Sequence, residues 1–369
     1  MTVGEIQSFI EAWAPKHIAW ERDNTGLQVG DPSDGVQGIL VTLDVTEEVV
    51  SEARKKNANL IISHHPLLFR PLRSITPLSE AGRVLEGLLR GRINLYSAHT
   101  NLDFTRGGTS FVLAEVLELK NVDFLVRSHH IQKKVVTFVP VDHVDRVAGA
   151  MASAGAGKIG NYERCSFRIE GVGTFQGNAS SNPTVGQRDR LEQVPEIRLE
   201  MVVNQWDVDK VICALIASHP YEEVAYDVYP TENVQGDYGV GIIGELRQSV
   251  PLKQLLAIVK KRLAAPCPRF TGDPEKSVQR VAACGGSGSE FISEAITKGA
   301  DVFITADVKY HAFLEAAKKI TLVDAGHFET EYPVVRELVN RLSGEMRRLN
   351  SNIEVYAASM STNPIKYYV

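Results

Sequence analysis

Residues 51–66, Ser-Glu-Ala-Arg-Lys-Lys-Asn-Ala-Asn-Leu-Ile-Ile-Ser-His-His-Pro, align without a gap on residues 293–308, Ser-Glu-Ala-Ile-Thr-Lys-Gly-Ala-Asp-Val-Phe-Ile-Thr-Ala-Asp-Val. Each copy reads as the end of a helix, a short turn and a buried strand that runs into polar residues. An apolar strand ending in small or turn-forming residues precedes each copy, at 38–44 and 281–287. A further strand follows each, at 93–103 and 320–331, ending in His with an acid four residues on: His99 with Asp103, His327 with Glu331. The repeating unit is therefore strand–helix–strand–(helix)–strand, written twice. Apolar strands joined by helices predict parallel sheets in α/β layers, with ligands outside the carboxyl ends of the strands. Every His and acid named here falls at such an end.

Those ends carry metal-capable side chains. Neutral imidazole and carboxylate suit zinc, manganese or ferrous iron. His64-His65-Pro66 closes the run Leu60-Ile-Ile. Neighbours on a strand point to opposite faces, so both His reach one site only where the strand breaks, and Pro66 restricts His65 in a way that favours a break. One core and one surface histidine would be the plainer reading of this pair alone, but the recurring His–acid units favour ligation. An acid after a turn also caps helices; capping accounts for Asp103 but not for the repeated spacing. His99 is open to several roles: metal ligand, hydrogen-bond partner of a ligand, general acid/base, or orienter of Asp103. In the second copy Asp307 stands opposite His65 and Ala306 opposite His64, which predicts one shared site rather than two. Asp44 and Glu329 read equally as site acids or structural acids.

The middle of the chain differs. Strands at 133–140, 164–170, 196–203 and 224–229 and helices at 142–154 and 206–218 give the order β-α-β-β-α-β, a ferredoxin-like arrangement. Residues 171–186 read as a long loop and 231–238 as a return linker. The expected domains are 1–130 and 235–369, the two halves of a duplicated α/β body, with 131–234 inserted between them. Gly155-Ala-Gly-Lys-Ile-Gly160 matches a dinucleotide fingerprint but follows a helix rather than a strand, so it reads as a helix end and turn. No G-x-x-x-x-G-K-[ST] occurs. His219-Pro-Tyr-Glu-Glu223 is read as structural or a subunit contact, with an accessory ligand or metal site as the alternative, and 20–30 as an ordered loop before a strand.

Net charge is −5 with no Lys/Arg-rich run, which argues against nucleic acid as a partner. No apolar run approaches the roughly 20 residues that span a bilayer, and the amphipathic start is unlike a signal peptide. Cys165, Cys213, Cys267 and Cys284 are widely spaced, with no C-x-x-C pair, and read as buried thiols in a reducing compartment, those of a cytoplasmic protein.

The stretches Asp23-Asn24-Thr-Gly-Leu-Gln, Ser63-His64-His65-Pro66, His99-Thr-Asn-Leu-Asp103, Thr305-Ala-Asp307-Val-Lys-Tyr-His311 and Gly326-His327-Phe-Glu-Thr-Glu331 together resemble the Nif-three-like dinuclear-metal family, the type-2 GTP cyclohydrolase I homologues. The insert, through Gly160-Asn-Tyr162 and 219–227, looks like the PII-like module of the long bacterial members. The resemblance spans essentially the whole chain. It implies two divalent metal ions per chain, zinc first with manganese or iron as alternatives. The ligands carried over are His64, His65, Asp103, His327 and Glu331, one carboxylate bridging. It also implies a homohexamer, a dimer of trimers. The expected function is a metal-dependent hydrolase resembling GTP cyclohydrolase I type 2, acting on a small nucleotide-like or phosphate-bearing substrate, with His99 or Glu329 managing protons. The alternative is a metal-binding regulatory or metal-delivery protein.

Overall fold

The computed structural model describes residues 1–128, 131–233 and 236–368. Its contacts divide into two units, Met1–Arg127 with Asp237–Val369, and Ser128–Gly236. The expected domain edges at 130/131 and 234/235, and part of the expected linker 231–238, fall on His130, Val234 and Gln235, outside the described residues.

The first unit carries β1 (Gly26–Val29), β2 (Gly38–Thr42), β3 (Leu60–Ser63), β4 (Asn94–Ser97) and β5 (Lys120–Arg127). The second unit carries β6 (Gln132–Pro140), β7 (Phe167–Gln176), β8 (Leu191–Asn204) and β9 (Tyr226–Pro230). Back in the first unit follow β10 (Gly239–Pro251), β11 (Arg269–Phe270), β12 (Ser277–Ser287), β13 (Val302–Ala306), β14 (Thr321–Asp324) and β15 (Glu354–Ala357).

Both copies of the repeat build parallel strands. β2, β3 and β4 are parallel neighbours in a sheet ordered β1-β4-β3-β2-β15, and β12, β13 and β14 are parallel neighbours in β11-β14-β13-β12-β10-β5. The helix Glu47–Lys55 starts at Thr46, whose side chain accepts from the Val49 N–H. Acids sit in its first turn and bases in its last, as the helix dipole favours. It ends in Asn57 at φ 53°, and the aligned Gly299 sits at φ 70° after the helix Ile292–Thr297. Both copies thus turn from helix to strand through a left-handed residue at the same position.

Apolar side chains leave both faces of each strand because each sheet is covered twice. In the first sheet Ile39, Val41, Leu60 and Ile62 face the helices Val3–Trp13 and Pro333–Arg348. Leu40, Ile61 and Leu95 face Glu47–Lys55 and Glu80–Gly91. The cover is partly exchanged between halves. The helix Thr109–Val116, from the first half, puts Phe111, Leu113 and Ala114 into the core of the second sheet, while Pro333–Arg348, from the second half, packs Val334, Leu338 and Leu342 into the core of the first.

The second unit is a four-stranded antiparallel sheet ordered β7-β8-β6-β9, with elements in the order β-α-β-β-α-β. The helices Val144–Ser153 and Val208–Ser218 pack one face over Val135, Val139, Leu199 and Met201. The expected loop 171–186 is shorter than its sequence reads, since β7 continues through Gln176 and only 177–186 of it lies outside the strands, with β8 beginning at Leu191. Pairing runs unbroken from Phe167↔Glu200 to Gln176↔Leu191, so partner strands supply the order that Gly171 and Gly173 would not sustain alone. The expected burial of the cysteines holds for Cys284 alone: Cys165 is half-buried, and Cys213 and Cys267 are exposed.

Candidate metal centre

Three strand ends of the first unit converge. At the end of β3 the His64 and His65 N–H groups still donate to the Thr42 and Leu43 carbonyls (3.1 and 2.9 Å). The Ser63 hydroxyl folds back onto the His65 carbonyl at 2.8 Å. This bend brings the two neighbouring rings within 5.1 Å, centre to centre, at 43°. After β4, His99 opens the single turn Thr100–Asp103, its ring 5.4 Å from His64 and 5.6 Å from His65. After β14, the turn His327–Glu331 stacks His327 and Glu331 one above the other, and His327 stands 5.4 Å from His65.

Each imidazole is held by Nδ1. His64 Nδ1 meets the Ala98 carbonyl at 2.8 Å, His65 Nδ1 meets Asp44 Oδ1 at 2.7 Å, His99 Nδ1 meets Asp23 Oδ1 at 2.8 Å, and His327 Nδ1 meets Asp307 Oδ2 at 2.6 Å. A carbonyl only accepts, so His64 donates through Nδ1, and in the neutral ring this leaves the Nε2 lone pair bare. Such partners are the usual orienters of ligating histidine. Glu331 divides its oxygens: Oε2 lies 2.9 Å from His65 Nε2 and 3.1 Å from His327 Nε2, while Oε1 faces His64 Nε2 at 3.9 Å. Gly286, at φ +63°, makes room for it, since a Cβ there would overlap Glu331 Oε1.

The donor set suits a cation. His64, His65 and Glu331 each offer a ligand atom, all within 4.8 Å of one another. His64 Nε2 and Asp103 Oδ1 are buried, lack hydrogen-bond partners and stand 3.6 Å apart. That is too far for a hydrogen bond but close to the roughly 3.4 Å between two donors on one tetrahedral ion. Two buried polar atoms left facing each other carry a desolvation cost that a shared cation removes.

Electrostatics agree. Burial works against protonated imidazole, yet hydrogen bonds to Asp44 and Glu331 lift His65 to about 10, and Glu331 and Asp307 lift His327 to about 9. His64 is also raised: burial opposes this, but Asp103 and Glu331 outweigh it. Burial would raise the Glu331 carboxyl, but His327, His64 and His65 hold it well below the usual range. Asp103 is raised, chiefly by burial. The pocket thus strongly favours positive charge.

Of the residues singled out in the sequence, His64, His65, Asp103, His327 and Glu331 line this one pocket, and His99 flanks it. Glu329 turns away. Two residues along a helix amount to about 200° of rotation, so it leaves the face shared by His327 and Glu331, and its Oε1 accepts from Asn363 Nδ2 at 3.0 Å. Three orienting carboxylates are not evident as such from the sequence. Asp307 reads in the alignment as the counterpart of His65 but braces His327; Asp44 braces His65 and also accepts from Thr362. Asp23, in a stretch that reads as a plain loop, braces His99 and accepts from both the Thr100 N–H and its hydroxyl.

A model of the Duf34/NIF3 (NGG1p interacting factor 3) family matches residues 1–364. The chain belongs to the Duf34/NIF3 family. Similar curated members, both named GTP cyclohydrolase 1 type 2 homolog, come from Halalkalibacterium halodurans and Bacillus subtilis. The first is 39% identical over 364 residues, covering 98% of this chain and 97% of the relative. The second is 38% identical over 366 residues, covering 98% of each. The solved structure of a Bacillus cereus protein related to NIF3 superposes with a TM-score of 0.86 at 39% identity, covering 100% of this chain and 99% of the other. In this NIF3 chain, no helix among the described residues is long and apolar enough to cross a membrane.

Proposed function

We propose that this chain is a dinuclear metal-dependent hydrolase of small nucleotide-like or phosphate-bearing substrates, working as a cytoplasmic homohexamer, a dimer of trimers, with a PII-like insert. The observation that carries the reading is the division of Glu331. One oxygen faces the His64–Asp103 pair and the other the His65–His327 pair, the arrangement expected of a carboxylate shared between two ions. His64 and Asp103 would hold one ion and His65 and His327 the other, with zinc the first candidate and manganese or iron the alternatives. Bound there, two such ions supply Lewis acidity toward an anionic oxygen and lower the pKa of water.

The chain's own residues do the rest. Asp44, Asp307 and the Ala98 carbonyl fix the imidazoles before any substrate arrives, the preorganisation that such chemistry needs. His99, held through Nδ1 by Asp23, has Nε2 left to take or give a proton. Beside it lies a recess of about 730 Å³ lined by Arg22, Asp23, Phe69 and Arg70 among others. The Asn24 and Gln28 side chains grip the Leu68 main chain from both sides, at 2.6 and 3.0 Å. Phe69, half exposed, is thereby presented edge-on to His99 at 6.2 Å. An exposed ring with two guanidinium groups suits a planar, anionic molecule. The relatives' name, GTP cyclohydrolase 1 type 2 homolog, is in keeping with that class.

The test is elemental analysis together with turnover of nucleotides, phosphoesters and cyclic amides on the same purified sample, for wild type and His64→Ala. About two ions per chain, with turnover lost in the variant, is the expected result. Two ions without turnover on any of these would replace the hydrolase with a metal-delivery or regulatory role.

A further inference from the structure

Strand β15 runs parallel to β2, with Ala357 opposite Val41. The chain that leaves it therefore emerges at the same carboxyl edge as Asp44. The Ala358 N–H donates to the Val41 carbonyl at 2.8 Å, and the Ser359 N–H to the Glu52 carboxylate, 3.0 Å from each oxygen. From 359 to 368 the chain lies at the surface, and Thr362 and Asn363 alone are half-buried there. Both dip toward acids beside the metal centre.

The Thr362 hydroxyl donates to Asp44 Oδ2 at 2.7 Å, while Asp44 Oδ1 meets His65 Nδ1, also at 2.7 Å. Each oxygen then has a partner, which fixes the plane of the carboxylate. The Asp44 side chain is 37% exposed, so without the hydroxyl it is free to turn into water and away from His65. Asn363 Oδ1 accepts from the Ile365 N–H at 3.0 Å, which aims Nδ2 at Glu329 Oε1, again at 3.0 Å. Glu329 is buried, and its other oxygen lies over Gly326, where a Cβ would overlap it. Gly326, at φ +93°, opens the turn that carries His327. Two adjacent residues of the tail thus reach the brace of His65 and the turn beneath His327. The other pair is supported differently. His64 is braced by the Ala98 carbonyl, a main-chain group that needs no second support, and Asp103 rides on the turn that Asp23 holds.

We propose that Thr362 and Asn363 are positioning residues that act on one side of the metal centre: the tail keeps His65 and His327 in ligating geometry and leaves the His64–Asp103 pair to its own supports. The inference rests on the dinuclear reading above. Losing a group that orients a metal ligand costs about 10–100-fold in affinity. Thr362 acts one bond further out, through Asp44, so the lower end of that range applies.

Dialysis of the metal-loaded, full-length protein against buffers of graded free zinc, followed by elemental analysis, reads the two ions as two steps. Thr362→Val removes the hydroxyl at nearly constant shape. It should move one step to about tenfold higher free zinc and leave the other in place. Asn363→Ala should move the same step, and Thr362→Ser, which keeps the hydroxyl, should restore it. The visible absorption of the cobalt-substituted protein should change in Thr362→Val and return in Thr362→Ser, a report on ligand geometry that a loss of stability alone would not give. The proposal is overturned if neither step moves, if both move alike, or if Thr362→Ser behaves as Thr362→Val. A wild type that takes up a single ion refutes the dinuclear reading; the role of the tail then holds if Thr362→Val shifts that one step and Thr362→Ser restores it, and falls if not. A wild type that takes up no zinc overturns both.

Discussion

Asp23 reaches His99 across 76 residues of sequence and fixes both its ring and the turn that follows. Burial would raise this carboxyl, but the hydrogen bonds from His99 and Thr100 outweigh it and hold it at about 2. A depressed carboxylate contributes stability that is complete above its unfolded value, near 3.9, and lost as pH falls through about 2. Wild type should therefore lose more stability than Asp23→Asn between about pH 4 and pH 2, by on the order of 2 kcal/mol, read from urea unfolding at each pH. Glu331→Gln is the sharper test of the centre. It should strip one or both ions with an unchanged circular dichroism spectrum, whereas retention of two ions by elemental analysis would refute the bridging role. The histidines and their i+4 acids are legible in sequence because chemistry and spacing are local. Asp23 as an orienter is not, because its partner is set by the tertiary approach of a turn that looks like any other.

The strand ends are where local geometry decides chemistry. At the close of β12 Gly286 combines a left-handed backbone with contact against Glu331. Gly286→Ala should destabilise the fold by about 1–3 kcal/mol and lower metal content, both measurable on one preparation. In the helix Pro333–Arg348, Leu338→Ala should cost about 2–5 kcal/mol by chemical denaturation without altering metal content, because Leu338 is buried in the first sheet's core. The repeat announces these elements well: long apolar runs with flanking turns fix strands and helices in both copies. It announces the β7–β8 ribbon poorly, because a Gly-rich strand takes its order from the strand beside it rather than from its own residues. The exchanged helices are illegible too, since amphipathic spacing says that a face is buried but not against which sheet.

At the scale of the molecule, the second unit interrupts a hairpin. β5 and β10 are antiparallel neighbours, and Arg127 pairs with Gly239. Replacing residues 128–238 by Asn-Gly, a turn that closes such a pair, should leave a chain that folds and keeps its ions. Thermal unfolding and elemental analysis check this, and an aggregated or metal-free product would show that the body needs its insert. The centre itself joins distant parts of the chain, because His65 meets Glu331 across 266 residues. During synthesis at about 5–20 residues per second, the first two histidines leave the ribosome roughly 13–50 s before the carboxylate that completes their pocket. A nascent chain can offer only half a cradle throughout that interval, so under the proposed dinuclear reading a full complement of metal would certify that its translation has passed Glu331.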